Sequence, residues 1–407
     1  MRKYLIISLL ASYSIVFAGE SEDFKAVDNL YKERNFKTAL TESEKFLQKY
    51  PESKHQKSMR DKVAKIYFLE KNYKKAEELF KKLFTMEEKQ SQKEEYASYL
   101  ARANALLNNS NSAMFYLREI KDEKTFQKTF FAVAQDFLAK ENNEAAKKAY
   151  TEIINNKYEN YKESMMGLGI VYYNLKDYDK AIYWLSEFSK AMPNENKEMV
   201  SYLRASAIYR KGSTDEAIKY FEELANMTPA SEYSRKAALY LIEIYSNRKD
   251  EAKVRFYLEK LKGTKEYNTA MTMIGDLYVT KENYEKALDY YNQSNDKNNP
   301  KLIYGEAYSL YKKGKYEEAL KKFQSLKNSD YYNQSIYHIF AINYKLKNFD
   351  EIIRNREIIR KVVVSQVDTD NIIRIIANSA YQVGNYKLAK DYYGRLFAVS
   401  PDKENLF

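Results

Sequence analysis

The chain lacks cysteine and has little glycine, proline or histidine. Its 407 residues include no Cys, ten Gly, five Pro and two His. Without cysteine it can form no disulfide, no thiolate nucleophile and no Cys-based metal site. The two histidines, His55 and His338, lie far apart in sequence, so we expect no histidine-centred catalytic or metal cluster. A glycine-rich phosphate loop is also missing. We therefore expect no enzyme activity, no cofactor and no metal.

The scarcity of helix breakers, together with many Lys, Glu, Ala, Leu and Tyr residues, predicts an all-α protein. Lysine and arginine number 68 against 57 acidic residues, a formal net charge of +11. This charge is dispersed, and runs such as KKAEELFKK interleave Lys with Glu, which is typical of solvated helix faces. A nucleic-acid binder would need a continuous basic stripe. We therefore expect no nucleic-acid partner, but a loose attraction to anionic membrane or cell-wall surfaces.

The N-terminus, MRKYLIISLLASYSIVFAGE, has the pattern of a secretory signal. Arg2 and Lys3 precede a mostly apolar stretch of residues 4–17, and Val16 and Ala18 stand at −3 and −1 before Gly19. Residues 1–18 are therefore predicted to be a cleaved signal peptide. The alternative is an uncleaved anchor, but the apolar stretch is short for a bilayer span. We expect an exported protein, in the periplasm or else secreted or at the cell surface.

One ten-residue phrase recurs along the chain, in forms such as KNYKKAEELF, KDYDKAIYWL and ENYEKALDYY. A residue near its centre, Ala in ten of eleven copies, defines an anchor column. The first and last anchors are 350 residues apart over ten intervals, a mean period of 35. Such a period indicates stacked supersecondary units. The anchors are Ala39, Ala76, Ala113, Ala146, Ala181, Ala217, Ala252, Ala287, Ala319, Ile352 and Ala389.

Other columns suggest a helical hairpin for each unit. Asn often stands four positions before the anchor; it tolerates left-handed backbone and is predicted to end the first helix. An aromatic residue then begins the second helix, and proline near the unit boundary is predicted to close it. Bulky residues such as Phe80, Phe256 and Tyr291 stand four positions after the anchor and are expected to share its buried face. Small residues twelve positions before it would allow close helix contact. A plain helical bundle would not keep this period.

These columns resemble the tetratricopeptide repeat (TPR), most clearly in MMGLGIVYYNLKDYDKAIYWLSEFSKAMP. The resemblance covers eleven units over residues 19–407, starting near 20, 57, 94, 127, 162, 198, 233, 268, 300, 333 and 370. The unit at 333 departs most from the pattern. The resemblance implies one α-solenoid that winds into a superhelix, with the first helices lining a concave, partner-binding groove.

By analogy with the family, positions 2, 5, 9, 12 and 13 of each unit face that groove. In the first four units these positions are chemically mixed, with Phe24, Asp61, Arg102 and Gln135. Later units present tyrosines, which favour binding because they offer area and a polar tip; alternatively, tyrosine is simply abundant here. The candidate partner-binding residues are Tyr173, Tyr202, Tyr209, Tyr304, Tyr308, Tyr311, Lys312, Tyr337, Tyr344, Lys345, Arg374, Asn378 and Tyr381.

The sequence thus predicts a non-enzymatic scaffold of the cell envelope that binds another envelope protein or a peptide. It resembles periplasmic TPR proteins, although fold analogy alone does not fix function. Two alternatives stay open: a self-associating structural protein, and a peptidoglycan- or glycan-binding module that uses its tyrosine faces. The last unit is rich in Ile and Leu, so we also expect its C-terminal face to be covered, by a partner or by a second copy in a homodimer.

Overall fold

The computed structural model describes residues 19–362 and 364–399. This part of the chain holds 22 α-helices and one 3₁₀ helix, without a strand. In the first half the helices are α1 Glu20–Lys32, α2 Phe36–Lys49, α3 Gln56–Leu69, α4 Tyr73–Met86, α5 Gln90–Leu106, α6 Ser110–Arg118, α7 Glu123–Ala139, α8 Asn143–Asn155, α9 Tyr161–Asn174, α10 Tyr178–Ala191 and α11 Lys197–Arg210. They continue as α12 Thr214–Ala225, α13 Glu232–Asn247, α14 Glu251–Leu261, α15 Lys265–Thr280, α16 Tyr284–Gln293, α17 Pro300–Lys312, α18 Tyr316–Ser325, α19 Tyr332–Lys345, α20 Phe349–Arg354, α21 Gln366–Gln382 and α22 Tyr386–Val399, with the 3₁₀ helix Arg356–Arg360 after α20.

The helices follow one another as helix–turn–helix pairs, which we number hairpins 1 to 11 from α1/α2 to α21/α22. Within each compact unit, first helices also contact the first helices of neighbouring hairpins, as in α5 with α7 and α15 with α17. The predicted all-α fold of TPR-like hairpins is therefore confirmed. Two compact units divide the chain: one ends at Ala217 and the other begins at Ile218, within α12. Each unit is a run of stacked hairpins.

The turn inside each hairpin contains one left-handed residue, and in several hairpins the next residue caps the second helix, which corrects one prediction. The left-handed residue is not the recurring Asn but the residue directly before it. Lys71, for example, has φ 61°, while Asn72 caps the second helix by accepting a hydrogen bond from the Lys75 amide. An N-cap Asn satisfies an amide that the helix leaves free. The left-handed residues are Arg34, Lys71, Asn108, Glu141, Lys176, Gly212, Lys249, Glu282, Gly314, Lys347 and Gly384.

Proline ends only some second helices. Pro51 and Pro193 follow α2 and α10 by two residues, as predicted. Pro300, in contrast, is the first residue of α17, where its fixed φ and missing amide hydrogen are tolerated. The prediction that every proline closes a second helix was therefore wrong for Pro300, and Pro401 lies outside the described residues.

Close contact between the two helices of a hairpin depends on the small-residue column. A Cβ built on Gly275 would overlap the ring of Tyr291 in the same hairpin. One built on Gly169 would lie 2.7 Å from Leu185 Cγ. Tyr291 and Leu185 occupy the bulky column and are fully buried. Small and bulky columns thus interlock across each of these hairpins, which fixes the spacing of their helices.

Hairpin 7 does not follow the predicted register. Ala252 is exposed, and Phe256 is 50% exposed. The buried face of α14 is formed instead by Val254, Leu258 and Leu261. Asp250 caps this helix, so the true anchor, four residues after the cap, is Val254. The predicted anchor Ala252 was wrong by two residues.

The unit that departs most from the repeat also departs in structure. Helix α20 has only six residues and continues into the 3₁₀ helix. Ile358 and Ile359 of that 3₁₀ helix pack against the core that Ile372 and Ile376 of α21 help to form. These α21 residues are buried, and Leu388 is half-buried. The expected covering of the C-terminal face stays a prediction because residues 400–407 lie outside the described part of the chain.

The predicted signal peptide, residues 1–18, also lies outside the described residues. Across residues 19–362 and 364–399, none of the helices combines the length and the apolar character that a bilayer crossing requires.

Candidate functional site

Four of the predicted tyrosines come together on two neighbouring first helices. Tyr304, Tyr308 and Tyr311 stand at i, i+4 and i+7 on α17, so they share one side of that helix. Helix α19 contributes Tyr337 and, beside it, His338. We call these five residues the tyrosine cluster.

His338 is the centre of the tyrosine cluster. Its ring stacks on Phe323 of α18, with the ring planes 14° apart. All four tyrosine rings surround it as well. The centroid distances from the His338 ring are 5.1 Å to Phe323, 5.3 Å to Tyr337, 5.4 Å to Tyr311, 5.5 Å to Tyr308 and 6.2 Å to Tyr304. Ring pairs at such distances attract each other beyond their shared burial.

The two ring nitrogens of His338 have little hydrogen bonding inside the tyrosine cluster. Its Nε2 lies 3.5 Å from the Tyr304 hydroxyl, a long contact for a hydrogen bond. The other nitrogen, Nδ1, is buried and has no hydrogen-bond partner among the described residues. Burial lowers the pKa of His338 to about 4; the carboxylate of Asp368 on α21 opposes this shift, and Lys312 adds to it. His338 is therefore neutral at pH 7 and occupies the cluster as an aromatic ring rather than as a cation.

The cluster tyrosines are half-buried, each with part of the ring in the core and part open to solvent. Burial raises the pKa of Tyr304 and of Tyr311, so both phenols stay protonated and can donate a hydrogen bond. The ammonium of Lys312 lies 5.5 Å from the centre of the Tyr308 ring, within the range of a cation–π contact. The tyrosine cluster therefore offers aromatic surface and phenol donors, and the neighbouring Lys312 adds one cation.

The other predicted residues of the second unit lie outside this cluster. Tyr344 contacts Phe349, with ring centroids 5.7 Å apart, and Lys345 and Arg374 are exposed. Asn378 accepts a hydrogen bond from the Tyr393 hydroxyl. Tyr381 is 57% exposed and contacts Tyr386.

The remaining predicted tyrosines, Tyr173, Tyr202 and Tyr209, belong to the first unit, where all three are half-buried. Tyr173 contacts Tyr178 edge-on. These three residues therefore form no part of the tyrosine cluster.

The first helices of hairpins 2 to 4 carry charged side chains that pair with one another. Lys65 binds Asp61 at 2.9 Å and Glu95 at 2.7 Å. Arg102 donates two hydrogen bonds to Asp136, at 2.8 and 3.2 Å. The Ser98 and Thr129 hydroxyls are also hydrogen-bonded to each other. These paired charges, as we call them, are mostly engaged with one another, although Asp61 Oδ1 is buried without a hydrogen-bond partner among the described residues. Within the described residues no three His, Asp or Glu side chains could share a metal ion.

Sequence reasoning missed His338, because it considered histidine only for catalysis and metal binding. The position next to Tyr337, a predicted groove residue, was a usable signal.

Comparisons with known proteins support the repeat assignment. Three family models described as tetratricopeptide repeat match residues 62–90, 131–195 and 170–330. Residues 62–90 and 131–330 of the chain thus match the tetratricopeptide repeat, as predicted. Proteins with such repeats generally mediate protein–protein interaction and are typically not catalytic.

Three solved structures with a similar fold are distant in sequence from this chain. A tetratricopeptide repeat protein from Parabacteroides merdae is 10% identical, covering 72% of this chain and 98% of its own, with a TM-score of 0.40. PilW, a type IV pilus biogenesis factor, is 13% identical, with coverages of 54% and 99% and a TM-score of 0.39. Apo RapI is 15% identical, with coverages of 67% and 96% and a TM-score of 0.36. Likenesses of this degree carry no functional argument. Comparison with curated proteins gives no significant match.

Proposed function

We propose that this protein is a non-enzymatic scaffold that binds a protein or peptide partner at the tyrosine cluster of the second unit. The observation that carries the proposal is the set of four half-exposed tyrosine rings held around one neutral histidine. Tyrosine and arginine dominate binding hot spots, because a rigid ring with a polar tip loses little entropy on binding.

The ring contacts explain why such a surface would be ready to bind. The rings of His338 and Phe323 pack against the tyrosine cluster and restrict the orientations of its rings. A partner would therefore not have to order these side chains on binding. Pre-organised contacts of this kind improve affinity by lowering the entropic cost of association. Lys345 and Arg374, exposed on the neighbouring first helices α19 and α21, would extend the site and favour a partner segment that carries acidic groups.

We also propose that the protein is exported and acts in the cell envelope. The support is the N-terminal sequence, with its basic start, apolar stretch and small residues before Gly19. Mass analysis of the protein isolated from fractionated cells tests this. We expect a mature N-terminus at Gly19 in the envelope or secreted fraction. An intact Met1 would contradict cleavage, and a cytoplasmic location would contradict export.

The binding proposal is tested by affinity capture from an envelope extract with quantitative mass spectrometry. The baits are the mature chain and a variant with Tyr308→Ala, Tyr311→Ala and Tyr337→Ala. We expect at least one protein that the wild type captures and the variant does not, while circular dichroism shows equal helicity. Equal capture by both baits would contradict the site.

The alternatives have readouts of their own. Self-association would appear as a concentration-dependent mass in analytical ultracentrifugation of the pure chain. Glycan binding would appear as co-sedimentation with purified cell wall. Either result, combined with no captured protein, would replace the proposed function.

A further inference from the structure

A second site lies in the second unit and shares no residue with the tyrosine cluster. A cavity of about 200 Å³ opens between hairpins 7 and 8, at the end where the first helix of each hairpin turns into the second. This volume is several times the ~30 Å³ that one water molecule occupies in the liquid. The cavity is therefore large enough for a small organic molecule.

The walls of the cavity are mostly apolar and aromatic. Tyr278 of α15 and Tyr290 of α16 stack with their ring centroids 5.5 Å apart and their planes 13° apart. Val254, Ile274 and Leu277 line the same space. Stacked rings and branched aliphatic side chains form a surface that suits a flat or short apolar group.

Lysines surround the mouth of the cavity. The ammonium groups of Lys286 and Lys281 lie 5.3 and 5.9 Å from the centre of the Tyr278 ring. Lys281 reaches only a backbone carbonyl, that of Ser246, at 3.5 Å. Neither Lys281 nor the exposed Lys249, which also lines the cavity, forms an ion pair with any described residue. Two cations are thus available to an anion.

The two carboxylates at the cavity are already engaged. Asp250 accepts a hydrogen bond from the Lys253 amide and caps α14. Glu251 lies 3.6 Å from Lys286 and 3.3 Å from Arg255. Three lysines, Lys249, Lys281 and Lys286, thus line the cavity against two carboxylates, which leaves the lining with a net positive charge.

A buried hydroxyl supplies an independent sign of a ligand. The Ser246 hydroxyl oxygen is buried, lies in the cavity lining and has no hydrogen-bond partner among the described residues. Buried polar groups are nearly always hydrogen-bonded, since leaving one unsatisfied costs free energy. A ligand that accepts a hydrogen bond would satisfy this hydroxyl.

We propose that this cavity binds a small organic carboxylate with a short apolar or aromatic body. The carboxylate would accept hydrogen bonds from the Lys281 ammonium and the Ser246 hydroxyl. The apolar body would lie against Tyr278, Ile274 and Leu277. An inorganic anion lacks the apolar body, and a neutral aromatic compound lacks the charge. Both should therefore bind this cavity more weakly than the proposed carboxylate.

Calorimetric titration of the mature chain with benzoate, benzyl alcohol and inorganic phosphate at low salt tests the proposal. We expect one saturable benzoate site per chain, with benzyl alcohol and phosphate at least about tenfold weaker, as expected when one charge-assisted hydrogen bond or the apolar contact is lost. Absence of saturable benzoate binding would overturn the proposal. If phosphate binds as tightly as benzoate, the proposed role of the apolar wall is wrong. If benzyl alcohol binds as tightly as benzoate, the proposed role of the lysines is wrong.

Substitutions locate the site. Lys281→Gln should weaken benzoate binding about tenfold, and Ser246→Ala should weaken it by a smaller factor. Lys321→Gln, which changes an exposed lysine of α18 outside the cavity, is the matched control and should bind as the wild type does. If Lys281→Gln and Lys321→Gln bind benzoate equally, the assignment to this cavity is wrong.

Discussion

The first helices of the two units use their side chains in opposite ways. In hairpins 2 to 4 of the first unit, the paired charges are mostly engaged with one another, as in the two hydrogen bonds from Arg102 to Asp136, although Asp61 Oδ1 lacks a partner among the described residues. In hairpins 9 and 10 of the second unit, four tyrosines surround a histidine whose Nδ1 has no hydrogen-bond partner in the described part of the chain. Both surfaces are formed by the first helices of the same type of helical hairpin.

This difference separates residues that complete the fold from residues that are available to a partner. A satisfied ion pair gains little from a new contact, because binding would have to replace hydrogen bonds that already exist. A half-exposed tyrosine still has ring surface and a hydroxyl to offer. The comparison therefore supports a structural role for the paired charges and the proposed binding role for the tyrosine cluster.

The largest loss of stability is expected at the buried anchor column, a feature that both units share. Ala181→Phe in the first unit and Ala287→Phe in the second each place a ring at a fully buried position between two helices. Each should lower the free energy of unfolding by about 3 kcal/mol, the upper end of the usual cost of overpacking. Denaturant unfolding measures this loss. The control is Ala252→Phe, at the exposed position that the sequence pattern had wrongly predicted to be the anchor of hairpin 7. A cost as large for Ala252→Phe would contradict the corrected register of hairpin 7.

The next effect is specific to the second unit and depends on pH. The unfolded chain protonates His338 below its ordinary pKa of 6.5, whereas the folded chain does so only near 4. The stability that the neutral ring provides is therefore complete above pH 6.5 and is lost as the pH falls toward 4. The loss should be up to about 3 kcal/mol.

Hydrogen exchange of peptides from α17 and α19 at pH 7 and pH 4.5 measures this loss. Protection should fall at the lower pH in the wild type and change less in His338→Phe, which keeps an aromatic ring without the titration. Equal pH sensitivity of the two proteins would contradict a buried neutral histidine.

A smaller effect is expected from the paired charges. Arg102→Gln removes the partner of Asp136, a buried carboxyl whose pKa burial already raises. The variant should lose about 1–3 kcal/mol of stability, because a buried carboxylate is left unsatisfied. Fluorescence of Trp184, the only tryptophan and a residue of the first unit, reports the unfolding. Adding Asp136→Asn should restore part of the loss; no difference between the single and double variants would exclude the pairing.

The hairpins could be predicted from sequence because their signals are local. A turn residue, a cap and two interlocking columns recur in each unit, and each follows from helix geometry. Hairpin 7 misled this reasoning because Ala252 matched the most visible column. The pair Lys249–Asp250, which repeats the turn Lys176–Asp177 of hairpin 5, marks the correct register.

The site could be predicted only in part. The repeat pattern placed Tyr304, Tyr308, Tyr311 and Tyr337 at candidate groove positions, and these four side chains do lie close together. It could not show that they meet around His338, because this depends on how α17 and α19 are rotated against each other. The cavity between hairpins 7 and 8 was also invisible to the sequence, since it depends on how the side chains of four helices pack.

The central claim is that recognition belongs to the tyrosine cluster and not to the paired charges. The most direct test is the affinity of the captured partner for three proteins: wild type, the variant Tyr308→Ala/Tyr311→Ala/Tyr337→Ala, and the variant Asp61→Asn/Arg102→Gln. We predict a loss of at least about tenfold, or 1.4 kcal/mol, for the tyrosine variant and an affinity within about twofold of wild type for the charge variant. The reverse order, with binding lost in the charge variant and kept in the tyrosine variant, would contradict the account.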